Sequence, residues 1–297
     1  MARVLLTGAR GFVGGAVLRR LLADGHEVVA LSATRAAADD GAEWRHLDLL
    51  GATAQEVAEL VRETGVSHCL HAAWYTNHAD YLVAAVNRDW LDSSLRLAEG
   101  FHAGGGKRFV GLGTCLEYDQ AASGGRFSET RTPLRPETLY ARCKTELFER
   151  LNGRGGAADF AWARLFFIYG PGDRAGRLIP YILAALAKGD RIGPRFGGLR
   201  RDYIHVDDLA GQLVRIAMSG VKGAINCGTG GAERLGDIFR TAGELAGRPE
   251  LVDDNDLVDE AQSLVIEADM GLHGREVGEP GTRPIRQGLA EMMGGQP

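Results

Sequence analysis

The sequence predicts an α/β fold, a doubly wound parallel sheet with a smaller C-terminal lobe. Three observations predict it. Short apolar runs recur at intervals, each followed by a longer amphipathic stretch, as in parallel strands joined by crossover helices. The first run, Val4-Leu5-Leu6, passes straight into a glycine-rich turn and then into an amphipathic segment from Ala16 to Asp24. After Tyr169-Gly170-Pro171-Gly172 the alternation becomes less regular. We assign residues 1–169 and 202–227 to the sheet domain and residues 170–201 and 228–297 to the lobe, which would bind substrate.

Composition narrows the function. The chain has 297 residues, long enough for a large core, of which 45% are hydrophobic and 25% charged. A net charge of −5 gives no electrostatic footprint for nucleic acid. No apolar run reaches membrane-spanning length. Cys69, Cys115, Cys143 and Cys227 form no CxxC pair and no metal-binding spacing, so no metal is expected. They read as reduced thiols of a cytoplasmic protein. Met1-Ala2-Arg3 runs straight into a strand, which reads as no signal peptide.

The first turn is Thr7-Gly8-Ala9-Arg10-Gly11-Phe12-Val13-Gly14. Strand, glycine-rich turn and helix together form a Rossmann dinucleotide-binding unit. The glycines let backbone approach a pyrophosphate, and the helix N-terminus offers free N–H groups to it. The spacing is Gly-x-x-Gly-x-x-Gly rather than the commoner Gly-x-Gly-x-x-Gly. The second strand, 26–31, ends at Ser32 with Arg35 beyond it. A carboxylate there would select NAD. A hydroxyl with Arg35 and Arg10 suits a 2′-phosphate, so NADP(H) is favoured and NAD(H) is the alternative.

The third strand is read over 44–49 and a helix over 54–63. A fourth strand, 67–71, ends at Ala72-Ala73-Trp74, where two small residues let backbone lie against a cofactor. A helix from about 81 to 103 ends in Gly104-Gly105-Gly106, a C-terminal signal. The fifth strand, 107–112, places Thr114 at the edge where ligands of such sheets bind. Residues 119–137 read as loop, 140–152 as helix and 160–168 as the sixth strand. Further elements are a helix over 178–188, a strand running into a helix at 202–210 with Asp207 as N-cap, a short strand at 224–226, and one clear helix, 235–246, in the tail.

Tyr140 and Lys144 stand four apart on one helix face. A free tyrosine has a pKa of about 10, too high for proton transfer at neutrality. An ammonium held nearby lowers it, and the same lysine can donate to a cofactor ribose. Only four lysines occur among 34 basic residues, so a lysine at this spacing carries weight.

These landmarks resemble the extended short-chain dehydrogenase/reductases, in their nucleotide-sugar epimerase, dehydratase and reductase group. The matching residues are Thr7-Gly8-x-x-Gly11-x-x-Gly14, Asp48-Leu49, His71-Ala72-Ala73, Asn87, Thr114, Tyr140-x-x-x-Lys144, Arg164-Leu165-Phe166, Tyr169-Gly170-Pro171-Gly172 and Arg201-Asp202-Tyr203-Ile204-His205-Val206-Asp207-Asp208. The resemblance implies that Asp48 and Leu49 contact the adenine, that Thr114, Tyr140 and Lys144 are catalytic, and that Arg201 binds a substrate phosphate. It implies substrate contacts at Trp74 and Phe167, and a homodimer built from the helices around 81–103 and 137–152.

Departures sharpen the reading. Dehydratases of the group carry Asp-Glu after the catalytic threonine, where this chain has Cys115 and Leu116. Many members carry Asn at the position of Phe167. Glu117-Tyr118-Asp119 and the short tail resemble reductases that make deoxysugar nucleotides. The expected reaction is NADPH-dependent reduction of a 4-keto-6-deoxyhexose nucleotide. An NAD-dependent epimerase is the alternative, and a non-catalytic dinucleotide-sensing regulator the alternative of another class.

Overall fold

The computed structural model describes residues 1–34, 40–121, 124–153, 159–194, 196–253 and 264–294. The first half runs β1 (Arg3–Thr7), α1 (Phe12–Ala23), β2 (Glu27–Ser32), β3 (Glu43–His46), α2 (Ala54–Thr64), β4 (His68–His71), α3 (Asn87–Ala103), β5 (Arg108–Thr114), β6 (Arg126–Phe127) and α4 (Leu139–Asn152). The second half runs β7 (Asp159–Leu165), β8 (Phe167–Tyr169), α5 (Leu178–Lys188), β9 (Arg200–Arg201), β10 (Tyr203–His205), α6 (Val206–Met218), β11 (Gly223–Cys227), β12 (Glu233–Arg234), α7 (Leu235–Leu245), β13 (Val265–Ala268), α8 (Gly271–Glu276) and α9 (Ile285–Gly294).

Seven parallel strands make the main sheet, in the order β11-β7-β5-β4-β1-β2-β3. The order reverses between β1 and β4, which opens a crevice at the carboxyl ends of those strands. Leu6, Val28, Val110 and Ala163 face the layer that holds α1 and α6. Leu5, Val29, Cys69 and Phe109 face α2, α3 and α4. Both faces are covered, which is why the strands read as continuous apolar runs. On α2 a reciprocal capping box joins Thr53 and Glu56.

Smaller sheets lie past the crevice. β8 pairs with β10, and β12, β9, β13 and β6 form a four-stranded sheet. A separate core of Ile179, Ile182, Leu186, Ile238, Phe239 and Leu289 joins α5, α7 and α9. Among the described residues no helix is long and apolar enough to cross a membrane.

Several boundaries differ from expectation. The third strand stops at His46. The helix read from about 81 begins at Asn87, because Asp80 to Val86 close turns on Asn77 and one another. The sixth strand is two strands: Phe166 N donates to Cys227 O and Phe167 N to Asp202 O, so the chain changes sheets there. The 119–137 loop includes β6. Asp207 is not the N-cap of α6; His205 is, its Nδ1 accepting from Asp207 N at 3.3 Å. The tail holds α8 and α9 besides α7.

Candidate active site

Gly8 adopts a left-handed backbone, φ +72°. A Cβ there would lie 2.7 Å from Ala73 N, so only glycine lets β1 turn against Ala72 and Ala73. A Cβ on Gly14 would lie 2.0 Å from Gly8 O, so α1 packs directly on the turn. Gly11 is the N-cap of α1 and provides no capping side chain, so the first-turn N–H groups of Phe12, Val13 and Gly14 stay available to an anion. These residues fit a dinucleotide pyrophosphate.

A buried chain of hydrogen bonds fixes the opposite wall. Ala73 N donates to Thr7 Oγ1 at 3.1 Å, Thr7 Oγ1 meets His71 Nδ1 at 2.8 Å, and His71 Nε2 meets Ser94 Oγ at 2.8 Å. Ser94 in turn donates to Trp90 O. The direction follows: His71 carries its proton on Nε2 and accepts from Thr7. Burial pushes the His71 pKa down to about 3, so the ring is neutral and the chain keeps one polarity.

At the end of β2, Thr34 N donates to Ser32 Oγ at 3.2 Å. Arg10 Nη1 reaches Thr34 Oγ1 at 3.5 Å, with its guanidinium 5.1 Å from the Trp44 ring centroid. Arg10, Ser32 and Thr34 thus converge; Arg35 lies outside the described residues. Asp48 is exposed and accepts from Leu50 N. Leu49 is buried against the second core, where its carbonyl accepts from Ser93 Oγ.

Thr114 lies at the end of β5, and Tyr140 and Lys144 lie on α4, which packs against that strand. Thr114 Oγ1 accepts from Leu116 N at 3.3 Å. Thr138 caps α4 by accepting from Ala141 N, which starts the helix one turn before Lys144. Lys144 Nζ donates to Leu112 O at 2.7 Å, tying α4 to the strand that carries Thr114. It also lies 3.6 Å from the centroid of the Trp74 ring. Trp74 Nε1 donates to Asn87 Oδ1 at 2.8 Å. The Tyr140 ring packs edge-on against Tyr81, centroids 5.2 Å apart, and against Trp74 at 6.3 Å.

One electrostatic expectation is corrected. Burial, then the neighbouring Tyr81 phenol, pushes the Tyr140 pKa up, and the opposing charge of Arg177 does not offset it. The lysine stands 5.9 Å from the Tyr140 ring centroid and spends its charge on Leu112 O and the indole. Burial pushes Lys144 itself down to about 7, against the opposing pull of Glu117. Tyr140 therefore keeps its proton at neutral pH.

Glu117 is turned away from the crevice. It accepts from Thr114 N at 2.8 Å, from Trp162 Nε1 at 3.0 Å and from Arg164 Nε at 2.7 Å, wholly buried. Cys115 is buried and its thiol is pushed up to about 12, chiefly by burial. On the lobe side, the Arg201 guanidinium lies 5.6 Å from the Phe167 ring centroid, and its Nη1 donates to Leu264 O. Arg177 donates from Nη2 to Ile168 O and pairs with Asp173. Its charge opposes the upward pKa shifts that burial imposes on Tyr140, Tyr81 and Tyr203. Among the described residues no group of His, Cys, Asp and Glu gathers to hold a metal.

Residues 4–228 match the NAD dependent epimerase/dehydratase family. The chain belongs to that family. It is an enzyme of the extended short-chain dehydrogenase/reductase type, and the seven-stranded sheet is the one the family shares. Relatives include a dTDP-4-dehydro-6-deoxy-D-allose reductase from Streptomyces bikiniensis, 27% identical over 274 residues, covering 84% of this chain and 82% of that protein. A dTDP-glucose 4,6-dehydratase from Streptomyces griseus is equally similar, 27% identical over 284 residues with the same coverage. Among solved structures, MoeE5 in complex with UDP-glucuronic acid and NAD superimposes with a TM-score of 0.80 at 24% identity, covering 98% of each chain.

Within this family member, sequence reasoning passed over Tyr81 and Arg177. A signal existed for Arg177. It is the N-cap of α5, without a capping bond, where a hydroxyl or acid is the usual choice and a cation opposes the helix dipole. Tyr81 has no comparable mark; only the turn before Asn87 brings it to Tyr140.

Proposed function

We propose that this enzyme reduces the keto group of a nucleotide-activated 4-keto-6-deoxyhexose, using NADPH. The observation that carries the proposal is the fate of the positions after Thr114. Cys115 is a buried thiol held protonated, and Glu117, the first carboxylate beyond it, is locked in the core by Arg164 and Trp162. Neither supplies the acid and base that loss of water requires. Thr114, Tyr140 and Lys144 suffice for carbonyl reduction.

NADPH, when bound, supplies the hydride. Gly8, Gly11, Phe12, Val13 and Gly14 would hold its pyrophosphate, with Ala72 and Ala73 as a wall. Asp48 and Leu49 would border the adenine, and Arg10, Ser32 and Arg35 the 2′-phosphate. Tyr140 gives its proton to the forming alkoxide, Thr114 hydrogen-bonds the same oxygen, and Lys144 donates to the nicotinamide ribose. Arg201 and Arg177 flank the lobe side, where two guanidiniums suit a diphosphate. Binding there, far from the reacting carbon, orients the sugar along Phe167 and Trp74.

The homodimer implied by α3 and α4 is part of this proposal. Their exposed positions include Arg88, Asp92 and Arg142, charges of both signs on adjoining helices. Four buried, free cysteines support a reducing, cytoplasmic setting.

The test is the cofactor the purified enzyme holds. A reductase must exchange its cofactor every turnover, so gel filtration should strip it and added NADPH should rebind. NAD retained through purification and released only on denaturation would favour an epimerase instead.

A further inference from the structure

Three contacts converge on Trp74. Lys144 Nζ sits over its ring face at 3.6 Å. Its Nε1 donates to Asn87 Oδ1 at 2.8 Å. Asn87 is fully buried, and its amide nitrogen donates to Tyr81 O at 2.7 Å and Ala84 O at 2.8 Å. Those two bonds fix which end of the amide faces the indole, so the Trp74 ring has one orientation.

We propose that Trp74 is a positioning residue for Lys144: its indole face keeps the buried ammonium charged and aims its remaining N–H. An ammonium has three donors. One goes to Leu112 O and one side faces the indole, so these two contacts restrict where the remaining N–H can point. The proposal rests on Lys144 being the lysine of the reaction.

The surroundings explain why such a device is needed. Lys144 is almost fully buried, and burial opposes its charge. Glu117, from the turn after β5, favours the cation, as does Cys143 on its own helix. Glu117 already shares its carboxylate among Thr114, Trp162 and Arg164. His71 on β4 is neutral, Tyr140 on α4 keeps its proton, and the Trp162 ring on β7 is farther off at 5.8 Å. The Trp74 face is the closest aromatic surface to the charge, and a cation over indole is the strongest pairing of this kind.

Four lysines make the charge state directly readable. In protein labelled with 13C,15N-lysine, Lys144→Arg identifies the Lys144 signal. In the parent that signal should titrate well below the other three and show a ring-current displacement. Trp74→Leu should abolish the displacement and lower the midpoint by about one pH unit, the order of a desolvated cation–π contact. Trp74→Phe should fall between the two and restore part of both. An unchanged midpoint and displacement in Trp74→Leu would overturn the proposal. If Trp74→Leu does not fold, Trp74→Phe decides alone: a midpoint equal to the parent's overturns it. The readout needs no substrate. Full turnover by Lys144→Ala would count instead against the catalytic assignment beneath it.

Discussion

Glu117 and Arg164 form an ion pair at 2.7 Å with side chains 0% and 1% exposed, directly behind Thr114. Arg164 Nη1 also donates to the Tyr118 hydroxyl, which donates to Asn226 Oδ1. The pair therefore braces the end of β5 from β7 and β11. Removing one partner strands the other charge in the core. Arg164→Leu should cost about 3–5 kcal/mol in urea unfolding. Glu117→Gln should also be strongly destabilising, because it strands the buried Arg164 guanidinium, which cannot shed its charge. An Arg164→Leu variant as stable as the parent would mean the pair does not support the site.

Tyr140→Phe tests the proton donor. Turnover should fall by about 10²–10⁴-fold while cofactor affinity stays close to that of the parent. Steady-state kinetics with a cofactor titration measure both. Thr114→Val should lose less, since it removes a hydrogen bond and leaves the proton source.

The pH dependence follows from Lys144. Its folded value is about 7 against an ordinary 10.5, so the ammonium is fully charged only below neutrality. Tyr140 is shifted upward and stays protonated across this range. Turnover that needs both groups should decline as pH rises through about 7. Stability should move the opposite way. Above about 7 the unfolded chain binds a proton at this lysine that the folded chain has released, so stability increases with pH until the ordinary value is passed. Lys144→Met should flatten that increase in denaturant titrations at several pH values.

Cofactor choice is tested by fluorescence titration. NADPH should bind more tightly than NADH. Arg10→Ala should narrow the difference by roughly ten- to a hundredfold, the worth of a charge-assisted hydrogen bond. Arg35→Ala should narrow it more than Ser32→Ala, because it removes a charge. Tighter NADH binding by the parent would assign the β2 end to an unphosphorylated ribose.

The sheet was legible because each buried strand is a short apolar run bounded by turn residues, and the Thr7–Gly14 turn names its own geometry. The Tyr140/Lys144 pair was legible from spacing, and α4 does bring it to β5. The charge balance was not. Spacing cannot tell that Lys144 turns to Leu112 O and Trp74, or that burial outweighs any cation near Tyr140. Nor does period reveal the break at Phe166, where an unbroken apolar run feeds two sheets through two backbone bonds. Arg177 and Tyr81 come from segments whose position depends on tertiary packing rather than on local pattern.

The most direct test of the central claim is a reduction assay. Purified enzyme is given dTDP-, CDP-, GDP- or UDP-linked 4-keto-6-deoxyhexose and stoichiometric NADPH. For at least one nucleotide, each mole of NADPH oxidised should yield a mole of reduced sugar, and Tyr140→Phe should lose this activity. Interconversion of two ordinary nucleotide sugars, with no cofactor added and no net oxidation, would contradict it.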